Sequence, residues 1–163
     1  MARKAREERE DFMRQPVNIH VYLYRQEHNG TPWFAVFQRA DDPRCWQGIS
    51  GGAEEGETAR QAALREAFEE AGVATDSPIY PLDTVSSLPS DIFSVHPKWG
   101  KDVLVCPNYF FAIPFYGSIT LSAEHLDARW CTYPKAYERI YWHDQKTALW
   151  ELNQRLVRGN LIR

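Results

Sequence analysis

Residues Gly51 to Val73 read GGAEEGETARQAALREAFEEAGV, and the pattern of this one stretch decides the fold. Thr58, followed three residues later by Gln61, forms a capping box that starts a helix, and Gly72 is the C′ glycine that ends it. On that helix Glu66, Glu69 and Glu70 stand three and four positions apart. All three therefore project from one face, with Cβ atoms roughly 5–6 Å from one another. Ala59, Ala62 and Ala63 share the face. Their small side chains let the loop punctuated by Gly51, Gly52 and Gly56 lie against the helix, bringing Glu57 and loop carbonyls beside the carboxylates. Leu64 and Phe68 mark the opposite side, which is expected to pack into the core.

Same-face acids repel by about 0.2–0.5 kcal/mol a pair in an isolated helix. Arg65, one turn before Glu69, offsets only part of this. Acids at such spacing usually form a solvated face. A divalent cation is the other way to relieve the repulsion. Oxygen donors with no thiol and no His in the cluster point to Mg²⁺ or Mn²⁺ rather than zinc. Mg²⁺ keeps several waters and binds through a few carboxylates plus substrate phosphates, so phosphate-ester chemistry is its natural use.

Outward from the helix, strands and helices mix without strict alternation. Val17, Ile19, Val21 and Leu23 alternate with Asn18, His20, Tyr22 and Tyr24, the period of two expected of a strand with one buried face, which puts His20 on the less apolar side. His28-Asn29-Gly30 makes a turn, and Trp33 to Gln38 returns as a central strand, apolar on both faces. Cys45–Ser50, Tyr80–Ser87, Val103–Ile113, Ile119–Leu121 and Arg129–Tyr133 have strand character. Leu88 to Lys101, broken by Pro89, Pro97 and Gly100, is irregular and long enough for a binding loop. Pro134 opens a final helical segment. Its Leu149, Leu152 and Leu156 form an apolar stripe, with Glu151, Arg155 and Arg158 facing away and Gly159 as the stop. An α+β sandwich with helices on both faces of a mixed sheet fits this order.

The chain has 163 residues, enough for one domain. We divide it into a charged N-terminal segment, 1–14, and a single domain, 15–163; the first twelve residues read as a short helix or a frayed tail. With 44% hydrophobic and 13% aromatic residues it is too rich in core-formers to be disordered. A net charge of -3 gives no field to draw in long nucleic acid, although a small polyanion needs only a local site. The longest apolar run, Tyr109 to Ile113, is far short of the roughly 20 residues of a membrane span, and the N-terminus lacks the apolar stretch of a secretion signal. Cys45, Cys106 and Cys131 are odd in number and widely spaced, which suits reduced core thiols in a cytoplasm. No feature sets the oligomeric state.

The quoted stretch satisfies G-x5-E-x7-R-E-U-x-E-E-x-G-U, where U is aliphatic, through Gly51, Glu57, Arg65, Glu66, Ala67, Glu69, Glu70, Gly72 and Val73. A chance match is on the order of one in 10⁸. The chain thus resembles the Nudix hydrolases, departing only in Ala67, which is smaller than the usual branched residue. The resemblance implies an αβα sandwich whose loop–helix–loop holds divalent metal and cleaves a diphosphate linked to another moiety. Glu66, Glu69 and Glu70 would ligate metal or orient water, with Glu66 and Glu70 the firmest ligands, and Arg65 would hold the carboxylates. Glu57 would support the loop or complete the metal shell, and a carbonyl near Ser50 or Gly51 would be a further ligand.

Gln38 to Glu66 and Ala123 to Trp130 are similar, beyond the motif, to the bacterial branch of that family acting on dihydroneopterin triphosphate in folate biosynthesis. Carried over by position, Glu124 would be an additional ligand or the general base. Arg39 and Arg14 would grip phosphate, and Ser50, Asp91, Ile92, Phe93 and Tyr141 would contact substrate. Trp46, Phe93, Trp99 and Trp142 either stack on a flat heterocycle or pack in the core. The implied reaction splits a nucleoside or pterin triphosphate, a small-molecule phosphoanhydride, into monophosphate and pyrophosphate. Oxidised nucleotides, dinucleoside polyphosphates and nucleotide sugars are alternative substrates. A binding module that has lost catalysis is a further alternative, and RNA decapping is disfavoured by the charge.

Overall fold

Ile19, Val21 and Leu23 turn to one side of strand β1 (Arg14–Gln26), and Tyr22 and Tyr24 turn to the other. The computed structural model describes residues 14–163, so of the charged segment 1–14 only Arg14 falls within it. β1 is followed by β2 (Pro32–Arg39), β3 (Trp46–Gln47), β4 (Ile49–Glu54), helix α1 (Ala59–Ala71), β5 (Tyr80–Pro89), β6 (Val105–Pro114), β7 (His125–Thr132), α2 (Tyr133–Arg139) and α3 (His143–Arg158). The strands make one mixed seven-stranded sheet in the order β3-β2-β1-β6-β5, with β4 also on β1 and β7 on β2. Only the β1–β6 pairing is parallel.

Both faces of β1 are covered. One packs against α1 through Ile19, Val21 and Ile113; the other packs against α3 through Tyr22, Phe110, Leu149 and Leu152. The predicted sandwich is therefore present, but β1 is a central strand and not one with a polar side. His20 is fully buried, with its ring 4.9 Å from that of Tyr22 and 5.2 Å from that of Phe110. Burial, only partly opposed by the charge of Asp144, pushes its pKa down to about 3. β2 is central as expected, with Phe34, Ala35, Val36 and Phe37 fully buried.

Helix α1 begins and ends where the capping signals place it. Thr58 accepts from the Gln61 amide, Gln61 returns the bond to Thr58, and Gly72 sits at φ 76°, a conformation that costs glycine little. Its core side differs from the expectation. Ala62, Ala63, Ala67 and Ala71 are all fully buried on the sheet, whereas Phe68 is 55% exposed and Leu64 is only partly buried. Four small residues in a row let the helix lie close to the strands, so the side carrying Glu66 and Glu70 faces inward. Ala67 is part of that row.

Four further expectations change. The strand expected over Cys45–Ser50 divides into β3, paired with β2, and β4, which continues through Gly51 and Gly52 to Glu54 paired with β1. Ile119–Leu121 is not a strand; there the chain runs past the end of α1, where the Thr120 amide donates to the Ala71 carbonyl. The stretch 88–101 folds into two 3₁₀ turns, Ser90–Ile92 and His96–Trp99, after β5. Glu151 does not face away from the core. It is buried and accepts from the Asp83 amide (2.6 Å), the Thr84 amide (2.8 Å), the Thr84 hydroxyl (2.6 Å) and Arg155 Nε (2.9 Å). A register shift in β5 between Pro81 and Val85 interrupts the ladder there, and Glu151 supplies the acceptors those amides lack. Cys45, Cys106 and Cys131 are buried free thiols.

Burial alone would raise the Glu151 pKa, yet its donors outweigh burial and hold it below the ordinary carboxylate range. A depressed carboxyl adds stability above its unfolded pKa of about 4.3 and loses it as pH falls through the lower native value. Glu151→Gln is thus expected to lower unfolding free energy by about 1–3 kcal/mol at pH 7. Urea denaturation across pH 3–7 should show the gap closing at the acid end.

Candidate active site

Where β4 runs beside α1, two glycines create the space. A methyl group on Gly51 would approach Glu66 Cδ to 2.3 Å, and one on Gly52 would approach Arg14 Nε to 2.4 Å. The absence of side chains on this strand lets Glu66 and Arg14 occupy the place a Cβ would take. Arg65 then ties loop to helix. Its Nε and Nη2 each lie 2.9 Å from a Glu57 carboxylate oxygen, Nη1 lies 2.8 Å from Glu66 and 3.4 Å from Glu69, and Nη2 also reaches the Gly52 carbonyl at 2.9 Å. Burial would lower the Arg65 pKa, but Glu57 and Glu66 outweigh it and keep the guanidinium charged. Both Glu57 oxygens are engaged, one of them also accepting from the Glu54 amide at 2.7 Å, so in this arrangement Glu57 braces the loop.

Arg65 makes no bond to Glu70. Glu70 is 1% exposed, its carboxyl feels the charges of Glu66 and Glu124, and its Oε2 has no hydrogen-bond partner. Burial first, then the charges of Glu66 and Glu124, raise its pKa well above the ordinary carboxylate range. A carboxyl in that position is stable only with a proton or another cation beside it. Among the described residues no group of three His, Cys, Asp or Glu side chains stands ready to hold a metal ion; Glu66 and Glu124 line one recess with Arg14, and Glu70 is buried close enough to feel both charges. The donors are all hard oxygens, the buried Glu70 Oε2 is unused and Gly51 leaves room beside Glu66, so the trio fits a small divalent cation. Glu69 is half-buried on the same helix, held at 3.4 Å by Arg65.

Beside the acids opens a cleft of about 400 Å³. It brings together the predicted residues Arg14, Arg39, Ser50, Gly51, Ile92, Phe93 and Glu124. Arg39 is paired with Asp41 through Nε at 2.7 Å. Arg14 stacks on the Phe93 ring at 4.4 Å, and its carbonyl accepts from Trp99 Nε1 at 2.8 Å, which fastens the 88–101 stretch to β1. Asp91 is exposed on its turn and does not line the cleft; Tyr141 is 60% exposed, its ring edge-on to Trp142. Trp46 lies between Arg129 and Arg139, at 5.6 and 5.0 Å. Sequence reasoning missed His125 and Gln47 in the cleft and Asn18, Asn108 and Asp144 at its inner end. The available signal was an asparagine inside each of two apolar strands, where an amide needs a reason to be buried.

Comparison with known proteins accords with this geometry. The NUDIX domain model matches residues 14–150. Dihydroneopterin triphosphate diphosphatase of Escherichia coli is 34% identical over 127 residues, covering 76% of this chain and 82% of that protein. RNA pyrophosphohydrolase of Roseobacter denitrificans is 34% identical over 115 residues, covering 66% and 72%. The crystal structure of a NUDIX hydrolase from Listeria monocytogenes superimposes with a TM-score of 0.81 at 34% identity, covering 91% of this chain and 99% of that one.

Removing one member of a buried ionic cluster strands the others, at a cost of about 3 kcal/mol. Arg65→Ala is expected to lose that much stability at pH 7, read by chemical denaturation. The loss should shrink below pH 4.5, where the orphaned carboxylates take up protons.

Proposed function

The chain belongs to the NUDIX hydrolase family, and on that footing we propose that it is a Mg²⁺- or Mn²⁺-dependent pyrophosphohydrolase. Its substrate is a nucleoside triphosphate or dihydroneopterin triphosphate, cleaved to the monophosphate and pyrophosphate. One observation carries this reading: Glu66 and Glu124 line a small recess with Arg14 and Gly51, Glu70 is buried next to them with an oxygen lacking a hydrogen-bond partner, and Glu124 also borders the cleft that holds Arg14 and Arg39. Excess negative charge at the end of a cationic groove is the arrangement a polyphosphate and a divalent cation satisfy together.

Glu66, Glu70 and Glu124, with Glu69 and the Gly51 carbonyl beside them, would hold a divalent cation, which would supply charge neutralisation along the phosphates and at the oxygens that gain charge during cleavage. Arg65 positions the carboxylates, and Glu57 braces the loop that joins β4, which carries Gly51, to α1. Arg14 and Arg39 grip phosphate oxygens, Arg39 by turning from Asp41. Glu124 enters from the segment before β7 and is exposed to solvent, which suits it to take the proton of the attacking water. The water oxygen bonds to phosphorus as the phosphoanhydride bond to the departing pyrophosphate breaks. Ser50, Ile92 and Phe93 line the path to the rest of the substrate, with Asp91 and Tyr141 at its margin.

The similarity to the Escherichia coli dihydroneopterin triphosphate diphosphatase supports the pterin substrate, a place in folate biosynthesis and a cytoplasmic site, where the three reduced thiols belong. The Roseobacter relative supports a second reading, cleavage at a triphosphorylated RNA end, which uses the same chemistry. Pyrophosphate release at equal Mg²⁺ from dihydroneopterin triphosphate, the common nucleoside triphosphates, a dinucleoside polyphosphate and triphosphorylated RNA separates these. The first is expected to lead; turnover of none would leave a non-catalytic NUDIX fold.

Two variants test the roles. Glu70→Gln keeps shape and mimics the protonated carboxyl, so the metal-free melting temperature should hold while turnover falls at least roughly 100-fold and the rise in melting temperature with Mg²⁺ disappears. Near-parental activity would remove Glu70 from the site. Gly51→Ala crowds the buried Glu66 side chain from Cγ to the carboxylate, so activity should drop roughly 10-fold or more, with a stability loss of about 1–3 kcal/mol as in other overpacked sites.

A further inference from the structure

Past Asn18, Ser50 and Phe93 the cleft narrows into an inner recess of about 140 Å³. Every amide side chain buried among the described residues lines it: Asn18, Gln47, Asn108 and Gln145. A buried amide costs free energy unless its donors and acceptors are used, so four around one recess mark a polar site. Three links run in one direction. Arg14 Nη2 donates to Asn18 Oδ1 at 2.8 Å, Asn18 Nδ2 donates to Asn108 Oδ1 at 2.9 Å, and Asn108 Nδ2 donates to Asp144 Oδ2 at 3.4 Å. The relay fixes both amides with their N–H groups pointing toward Asp144.

Asp144 itself is held by neutral groups. Its Oδ2 accepts from the Ser86 hydroxyl at 2.8 Å, and its Oδ1 accepts from the Gln145 amide at 2.8 Å. No Lys or Arg of the described residues pairs with it, which sets it apart from Asp41, Asp42, Asp83 and Asp127. A carboxylate has about four acceptor positions on its two oxygens. Two short bonds and one at the outer limit of length leave capacity on each oxygen. Between the amides the recess has flat and aliphatic walls from Trp142, Phe93, Leu88 and Ile92, and Arg39, engaged by Asp41, lines both the recess and the outer cleft. A slot with flat walls and amide edges, whose half-buried carboxylate has no ion-pair partner, asks for a planar ring that presents two N–H donors side by side.

We infer that this recess binds a heterocycle with a 2-amino-4-oxopyrimidine edge, the edge shared by guanine and pterins, whose ring N–H and amino group both donate to the Asp144 carboxylate. The inference rests on the reading of the neighbouring cleft as the phosphoanhydride site, and it makes Asp144 the residue that selects the base. Adenine and cytosine place a ring nitrogen lone pair beside their amino group, which opposes a carboxylate. Hypoxanthine keeps the ring N–H but lacks the amino group. Uracil offers one N–H between two carbonyls.

Equilibrium binding of GMP, IMP, AMP and dihydroneopterin monophosphate to the full chain, followed by tryptophan fluorescence, tests this without requiring turnover. Each lost charge-assisted hydrogen bond is worth roughly 10-fold to 100-fold in affinity. GMP and the pterin monophosphate should therefore bind at least about 10-fold more tightly than IMP and AMP. In Asp144→Asn the GMP-to-IMP ratio should fall to within about threefold. The relative affinities of the guanine and pterin ligands show which source of the shared edge the recess prefers. Equal affinity for GMP and IMP in the parent, no binding of any of the four at millimolar concentration, or an unchanged ratio in the folded variant would overturn the inference. If the ratio holds while no triphosphate is cleaved, the recess stands and the hydrolase reading falls.

Discussion

Two buried carboxyl groups with a third at the solvent side are costly to keep charged without a cation among them, and the geometry around Glu66, Glu70 and Glu124 follows from that constraint. Without a cation, burial and the neighbouring charges favour the protonated form of Glu70. A divalent ion there would take the same oxygens as ligands and turn the repulsion that raises the Glu70 pKa into a source of affinity. A surface cluster would have drawn its counter-ions from solvent. Burial at the seam between α1 and β4 makes the requirement specific.

The scaffold is built to hold this unfavourable arrangement in place. Four alanines bring α1 close to the sheet, and Gly51 and Gly52 let Glu66 and Arg14 occupy volume that side chains would otherwise fill. Arg65 takes the charge of Glu57 and part of that of Glu66, binding the loop to the helix and leaving Glu70 to the site. The 88–101 stretch closes the other wall, pinned to β1 by the bond from Trp99 to the Arg14 carbonyl. Charge thus alternates along the groove from the acid trio, through Arg14 and Arg39, to Asp144, in the order that a cation, a phosphate tail and a donor-bearing ring would lie.

Much of this was legible in the chain because it is local. The capping box at Thr58, the stop at Gly72 and the spacing of Glu66, Glu69 and Glu70 depend on neighbours a few residues away, and the structure keeps all of them. The inward side of α1 was misread because Phe68 is the larger hydrophobe, yet close approach to a sheet favours the alanines. Glu151 looked like a surface charge on the helical wheel. The gap it fills is a register shift in β5, about 70 residues away, which no periodicity reports. The amides of Asn18 and Asn108 meet only through the parallel pairing of β1 with β6, so the inner recess became visible only once the sheet was assembled.

The cation-holding role of the trio is tested most directly by diffraction from crystals soaked in Mn²⁺ and measured at the manganese absorption edge. An anomalous peak bordered by the carboxylates of Glu66, Glu70 and Glu124 is the predicted result. Saturating Mn²⁺ with no peak there, or with the ion lodged only elsewhere, would contradict it.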